Sequence, residues 1–177
     1  MRILVTGAAG FIGSGFVRLL RGTGFQPVGI QGHPGPEAPE NQGQDGLGTH
    51  GLEAHATRVA ILDALTYAGN LSTMEDLLQD PRVVFYPGKI QDPVVVEGIL
   101  KAEGITHIVN FAAESHNDRS LLEAGSFIHT DVLGVYVLLE AARKHGVERI
   151  LHVSTDEVYG SIDEGHFTEQ SRLQANT

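Results

Sequence analysis

Short runs of apolar, often β-branched residues recur along the chain and predict five strands. Such runs, buried on both faces, are typical of parallel sheets. The runs are Arg2–Thr6, Arg58–Asp63, Val83–Tyr86, Thr106–Phe111 and Arg149–Ser154.

Helical periodicity fills the intervals between these runs. Apolar residues spaced three and four apart follow the first strand, from Phe11 to Leu20, and predict a helix there. Further helices are predicted from a capping box at Ser72 to Gln79, from Asp92 and Pro93 through Leu100, and from about Glu123 to His145. Alternating strands and helices predict an α/β fold, a doubly wound parallel sheet with helices on both faces.

One long segment has neither pattern. Nine glycines and four of the seven prolines lie between Gly22 and Gly51, with no period of 2 or 3.6. We interpret residues 22–57 as a Gly/Pro-rich loop or disordered insertion within a single domain spanning residues 1–177.

Composition narrows the classes of function. With 12 Lys+Arg against 22 Asp+Glu the net charge is −10, which disfavours binding to nucleic acid or to an anionic membrane. There are no cysteines, so disulfides and thiolate metal sites are excluded. The nine histidines lack metal-ligand spacing, and we expect no metal site.

The sequence contains neither a signal-peptide pattern nor an apolar run long enough to span a membrane. We therefore expect a cytoplasmic protein.

Three glycines between the first strand and the first helix suggest a phosphate site. Gly7, Gly10 and Gly13 recur at intervals of three, a pattern that lets backbone N–H groups approach a pyrophosphate at a helix N-terminus. The alternative is a turn that merely needs positive φ. Asp63 ends the second strand, where an acid binds the adenosine ribose, although it lies 50 residues after Gly13 because of the insertion. A carboxylate there favours NAD over NADP.

Four sequence blocks carry a family resemblance. They are Thr6–Gly13, Leu62–Leu71, Asn110–Ser120 and His152–Gly160, the last followed by Phe167-Thr168-Glu169. With them the chain resembles the extended short-chain dehydrogenase/reductases, and among these the dTDP-glucose 4,6-dehydratases. The resemblance covers nearly everything except the insertion, and the most specific element is Thr155-Asp156-Glu157.

The resemblance implies a chemistry for that element. In the family, NAD+ oxidises C4 of the glucose ring, water is eliminated across C5–C6, and the hydride returns to C6, which gives dTDP-4-keto-6-deoxyglucose. Elimination needs an acid and a base in different protonation states. By similarity Asp156 is the acid, Glu157 the base, and Thr155 a hydrogen-bond partner of the C4 hydroxyl.

The resemblance also implies how the remaining site residues contact the ligands. Phe11 and Ile12 would lie along the pyrophosphate, and Ser115, His116 and Arg119 would contact the sugar nucleotide. The other implied NAD contacts are Asp63, Leu65 and Thr66 around the adenosine, Ile90 under the adenine, Phe111, Ala112, Ala113, Glu114 and Ser115 along the cofactor, and Thr130 near it.

The sequence departs from the family pattern in places that bear on activity. Lys89 stands where the family usually has an Asp at the adenine amine, and Asp131 stands where it has an Asn. The superfamily's Tyr-x-x-x-Lys pair does not occur up to Thr177. We therefore expect the chain to correspond to the N-terminal portion of a dehydratase, without the C-terminal substrate-binding part and with little turnover of its own.

Two alternatives remain open at this point. One is another sugar-nucleotide epimerase or decarboxylase of the same superfamily, which would share the glycine turn. The other is a catalytically silent NAD-binding fragment. The family's homodimer is a possible assembly.

Overall fold

The structure, a computed structural model, describes residues 1–22, 57–116 and 122–176. Five parallel strands form one sheet in the order β3-β2-β1-β4-β5. The strands are β1 (Arg2–Thr6), β2 (Arg58–Asp63), β3 (Val83–Pro87), β4 (His107–Asn110) and β5 (Arg149–His152). This arrangement confirms the predicted doubly wound fold.

The central strand β1 explains why the sheet has a core on each face. Leu4 belongs to one buried apolar cluster, whereas Ile3 and Val5 belong to the other, because successive side chains of a strand point to opposite faces. The cluster around Leu4 includes residues of two helices, among them Val96 and Leu138. The opposite cluster includes Val17 of the first helix and Leu77 of the second.

The helices follow the predicted order with different boundaries. They are α1 (Phe11–Leu20), α2 (Glu75–Leu78) after a 3₁₀ turn at Leu71–Met74, α3 (Pro93–Glu103), α4 (Ala124–Phe127), a π-helical segment at Ile128–Gly134, and α5 (Val135–His145). A 3₁₀ turn at Asp156–Tyr159 follows β5.

The predicted capping box at Ser72 is wrong. Asn70 is the cap, and its side chain accepts a hydrogen bond from the Ser72 backbone N–H at 3.0 Å. The hydroxyl of Thr73 donates to the Asn70 carbonyl instead of capping the helix. The other predicted cap, Asp92, is confirmed, because its carboxylate accepts from the N–H groups of Val94 and Val95. Asn and Ser have similar capping preferences, so only the structure shows which of the two residues, Asn70 or Ser72, caps the turn before α2.

The long helix predicted from Glu123 to His145 is present but is interrupted by the π-helical segment. Gly134 ends that segment, and a Cβ placed there would lie 2.6 Å from Cδ1 of Ile90. The helix can therefore approach the end of β3 closely only because residue 134 is glycine. Strands β4 and β5 are also shorter than predicted, ending at Asn110 and His152.

The predicted insertion at residues 22–57 falls mainly on residues 23–56, outside the described part of the chain. Within the described ranges, no helix is long and apolar enough to cross a membrane.

Candidate dinucleotide-binding site

The carboxyl ends of the strands open into a cleft of about 1330 Å³. Crevices at this edge, where the strand order reverses, are the usual ligand sites of doubly wound sheets. Most of the predicted site residues line it together: Gly7, Gly10, Phe11, Ile12, Gly13, Asp63, Thr66, Ile90, Phe111, Ala112, Ala113, Glu114, Ser115, Thr130, Thr155, Asp156 and Glu157.

The three glycines of the turn serve different purposes. Gly7 has a φ of +67°, and a Cβ there would lie 2.6 Å from the Ala112 backbone nitrogen. A Cβ on Gly13 would lie 2.7 Å from Cα of Ala8. Both glycines are therefore required by close backbone packing. At Gly10 the only neighbour of an added Cβ among the described residues is the Gly7 carbonyl oxygen at 3.3 Å, so the missing side chain there leaves the cleft open to a ligand.

The N-terminus of α1 fits an anionic group. Gly10 caps the helix without a side chain, and the first turn holds no acidic residue. The first N–H groups of a helix have no intrahelical partner and carry a partial positive charge. In α3, by contrast, Asp92 satisfies these groups. The N-terminus of α1 is therefore compatible with a phosphate group in the cleft, because its first turn places no acidic side chain there.

Asp63 is buried at the end of β2 and holds the glycine turn. Its Oδ2 accepts a hydrogen bond from the Ala9 backbone N–H, and its Oδ1 accepts one from the Leu65 N–H, both at 2.8 Å. A carboxylate has about four acceptor positions, so two remain for ribose hydroxyls. Leu65 reaches this position with a φ of 50°, and its side chain packs on the apolar cluster of α1 rather than lining the cleft.

A polar network that the sequence analysis did not find links the ends of β1, β4 and β5. The Thr6 hydroxyl donates to Asn110 Oδ1, and Asn110 Nδ2 lies 2.9 Å from His152 Nδ1. Thr6 and Asn110 are almost fully buried. The network fixes the relative positions of the glycine turn and the segment after β5. The sequence signal for this network is weak: Thr6, Asn110 and His152 are polar residues at or near the ends of predicted strands.

Thr155, Asp156 and Glu157 lie directly after β5 at the cleft. The Thr155 hydroxyl oxygen accepts from the Glu157 N–H at 3.2 Å, and this hydroxyl lies 3.3 Å from Asp156 Oδ1. Thr155 therefore caps the 3₁₀ turn that carries both carboxylates, and Asp156 is exposed to solvent.

The two positions that depart from the family pattern both line the cleft. Lys89 follows β3 and is exposed. Asp131, on the π-helical segment, accepts a hydrogen bond from the Glu114 N–H at 2.9 Å. Burial raises the pKa of Asp131 above its ordinary value, and the hydrogen bond from Glu114 opposes that shift.

Two of the predicted substrate residues lie outside this set. His116 does not line the cleft, and its ring stacks on that of Tyr67 with centroids 5.4 Å apart. Arg119 lies outside the described residues. No group of three His, Asp or Glu within the described ranges is placed to hold a metal ion.

Comparisons with known proteins show the family of the chain. The family model described as GDP-mannose 4,6 dehydratase matches residues 41–177. The dTDP-glucose 4,6-dehydratase of Streptomyces niveus is 42% identical, with 99% of this chain and 44% of that protein covered.

Solved structures of dTDP-glucose 4,6-dehydratases are also similar to this chain. A Streptomyces venezuelae dTDP-glucose 4,6-dehydratase with NAD bound is 44% identical to this chain, with a TM-score of 0.77. The match covers 99% of this chain and 46% of the Streptomyces chain. The Bacillus anthracis dTDP-glucose 4,6-dehydratase in complex with NAD is 33% identical, with a TM-score of 0.74, and the match covers 100% of this chain and 45% of the Bacillus chain. The chain thus spans a little under half the length of the relatives it matches. The resemblance to dTDP-glucose 4,6-dehydratases is confirmed, and the chain belongs to the GDP-mannose 4,6 dehydratase family.

Proposed function

We propose that the chain forms the NAD-binding half of a dTDP-glucose 4,6-dehydratase, a hydro-lyase of deoxysugar biosynthesis. The observation that carries the proposal is that the glycine turn and Thr155-Asp156-Glu157 line one cleft. A dinucleotide with its pyrophosphate at Gly10–Gly13 and its adenosine ribose at Asp63 would extend its nicotinamide towards the ends of β4 and β5. The sugar would then lie between the nicotinamide and the two carboxyl groups.

Each residue of the segment after β5 has a role in this proposal. When bound, NAD supplies the temporary oxidation of the sugar that makes elimination possible. Glu157 removes the C5 proton, and Asp156 protonates the departing C6 hydroxyl. Thr155 donates a hydrogen bond at C4 and, as the cap of the 3₁₀ turn, keeps the two carboxyl groups on one short segment.

The adjacent acids favour dehydration over epimerisation, since an epimerase needs no acid and base for eliminating water. A silent NAD-binding module is the second candidate. It is favoured by Lys89, which lines the cleft with no hydrogen-bond acceptor to offer the adenine amine.

The decisive variant is Glu157→Gln. We would test it in a chimera in which residues 1–177 are continued by the C-terminal half of the Streptomyces niveus relative, where the superfamily pattern places the Tyr-x-x-x-Lys pair. With dTDP-glucose, the unsubstituted chimera should form the 4-keto-6-deoxy product. Glu157→Gln should still reduce bound NAD, seen by absorbance at the nicotinamide band, but should release no dehydrated sugar. Unimpaired dehydration by the variant would remove Glu157 from the role of base.

We also infer a homodimer. The helical segment from Ala124 to His145 exposes five large apolar side chains, and four of them follow at successive spacings of four, four and three residues: Ile128, Val132, Tyr136 and Leu139. The fifth is Leu133. The spacing of the four keeps them on one face, and contiguous exposed apolar faces are typical of protein interfaces. We expect this assembly in the cytoplasm, a location with which the absence of cysteine is compatible.

A further inference from the structure

Charged residues are distributed unevenly along the cleft. On the side of β2 and β3 it is lined by Asp63 and Lys89. On the side of β4 and β5 the described lining residues include four carboxylic acids, Glu114, Asp131, Asp156 and Glu157, and no lysine or arginine. With the pyrophosphate at the glycine turn, the acidic side is where the nicotinamide of the proposed NAD would lie.

Asp131 differs from the other three acids in its position. It lies on the π-helical segment of the long helix rather than on a strand end, and π-helical segments occur frequently at functional sites. Its Oδ1 accepts the Glu114 backbone N–H at 2.9 Å, which fixes the carboxylate against the chain that leaves β4. The charge is thus held at one place in the cleft wall.

The surroundings of Asp131 leave its charge incompletely compensated. Partial burial is the main cause that raises its pKa, and the negative charge of Glu114 adds to the effect. The Glu114 N–H and His152 act in the opposite direction. A cation entering this side of the cleft would therefore be attracted more strongly than by a carboxylate in bulk water.

We infer that Asp131 makes the cleft discriminate between the redox states of the cofactor, binding oxidised NAD+ more tightly than NADH. The two forms differ at the nicotinamide ring, which carries a positive charge when oxidised and is neutral when reduced. A fixed negative charge nearby stabilises only the oxidised ring. The inference rests on the proposed NAD binding and adds a specificity-determining residue to it.

The substitution Asp131→Asn isolates the charge. The amide oxygen of Asn can still accept the Glu114 N–H, so the backbone contact is retained while the charge is removed. Glu75→Gln is the matched control, because Glu75 is an exposed acid on α2 that does not line the cleft. It changes the net charge equally at a remote position.

Three ligands distinguish an effect of the Asp131 charge on the nicotinamide from a general disturbance of the cleft. NAD+, NADH and ADP-ribose, which lacks the nicotinamide, are each titrated by calorimetry at low salt. The three proteins are the unsubstituted chain, Asp131→Asn and Glu75→Gln. We expect Asp131→Asn to weaken NAD+ binding by about three- to thirtyfold and to change NADH and ADP-ribose binding by less than about twofold. Glu75→Gln should leave all three affinities unchanged.

Other outcomes overturn the inference in distinguishable ways. An unchanged ratio of NADH to NAD+ affinity in Asp131→Asn would remove Asp131 from redox discrimination while leaving NAD binding intact. Equal weakening of all three ligands would show that Asp131 only supports the cleft. If the unsubstituted protein bound none of them, the proposed NAD site itself would fail, and the inference with it.

Discussion

Ala9 and Asp63 are joined by a hydrogen bond of 2.8 Å from the Ala9 backbone N–H to Asp63 Oδ2. The acid at the end of β2 therefore orders the glycine turn at the end of β1 before any ligand binds. The second oxygen of the same carboxylate accepts the Leu65 N–H. One side chain thus shapes both parts of the cleft in which the proposed function places the pyrophosphate and the ribose.

Replacing Asp63 should destabilise the protein as well as the site. Asp63→Ala leaves two backbone donors without their acceptor, at roughly 1–3 kcal/mol for each buried donor left unpaired. Asp63→Asn should have an intermediate effect, because its single amide oxygen can accept only one of the two N–H groups. Urea denaturation measures both. Unfolding free energies equal to that of the unsubstituted protein would show that the turn does not depend on Asp63.

Gly13→Ala should destabilise the protein through close packing rather than through ligand loss. The added methyl group would meet the backbone of Gly7 and Ala8, and overpacking of this kind costs roughly 1–3 kcal/mol. Gly125→Ala is the control, since a Cβ there has no described residue within 4 Å, and this substitution should be neutral or slightly stabilising. Thermal denaturation of the two variants compares them directly. Equal melting temperatures would contradict the packing argument.

The sequence was sufficient to predict five strands in a parallel sheet, because short buried apolar runs that alternate with helical periodicity are typical of that fold. The strand order β3-β2-β1-β4-β5 comes from the structure. The sequence was also sufficient for the glycine turn and Asp63. It could not separate Asn70 from Ser72 as a cap, because both residue types cap helices and only the backbone conformation decides. The contact from Thr6 to Asn110 joins residues 104 positions apart, and the close approach of Gly134 to Ile90 also joins residues that are distant in the sequence. Such long-range relationships leave no local pattern.

The contact between Tyr86 of β3 and Glu103 of α3 should make the stability of the protein depend on alkaline pH. Tyr86 donates to Glu103 Oε1 at 2.6 Å, and this hydrogen bond, with burial and the charge of Glu103, raises the pKa of Tyr86 above 10.0. A group whose pKa is higher in the folded state contributes stability below its unfolded value and loses it as the pH rises through the folded value. Stability should therefore fall at pH values above about 10.

Glu103→Gln tests this relationship. Removing the charge should bring the pKa of Tyr86 closer to its ordinary value, and ultraviolet titration of the tyrosinate band should shift to lower pH. Tyr86→Phe identifies the contribution of that phenol to the curve. If Glu103→Gln left the titration unchanged, the link between Glu103 and Tyr86 would be disproved.

Tyr136→Glu should dissociate the proposed dimer. The substitution places a charge within the exposed apolar face of the long helix, and burying it in an interface would be costly. Leu19→Glu is the matched control, because Leu19 is similarly exposed, on α1. Sedimentation velocity should give twice the 19.0 kDa mass of one chain for the unsubstituted protein and for Leu19→Glu. It should give a single-chain mass for Tyr136→Glu. A monomeric unsubstituted protein would exclude the dimer.

The central claim is that this cleft binds NAD through the glycine turn, and Gly10 allows the most direct test. Among the described residues, a Cβ added at Gly10 meets only the Gly7 carbonyl oxygen, at 3.3 Å, so Gly10→Val should keep the fold while obstructing the pyrophosphate. Calorimetric titration with NAD+ should show saturable binding of one NAD+ per chain to the unsubstituted protein and none to Gly10→Val at an unchanged melting temperature. Equal NAD+ affinities of the two proteins, or no binding to either at millimolar NAD+, would contradict the claim.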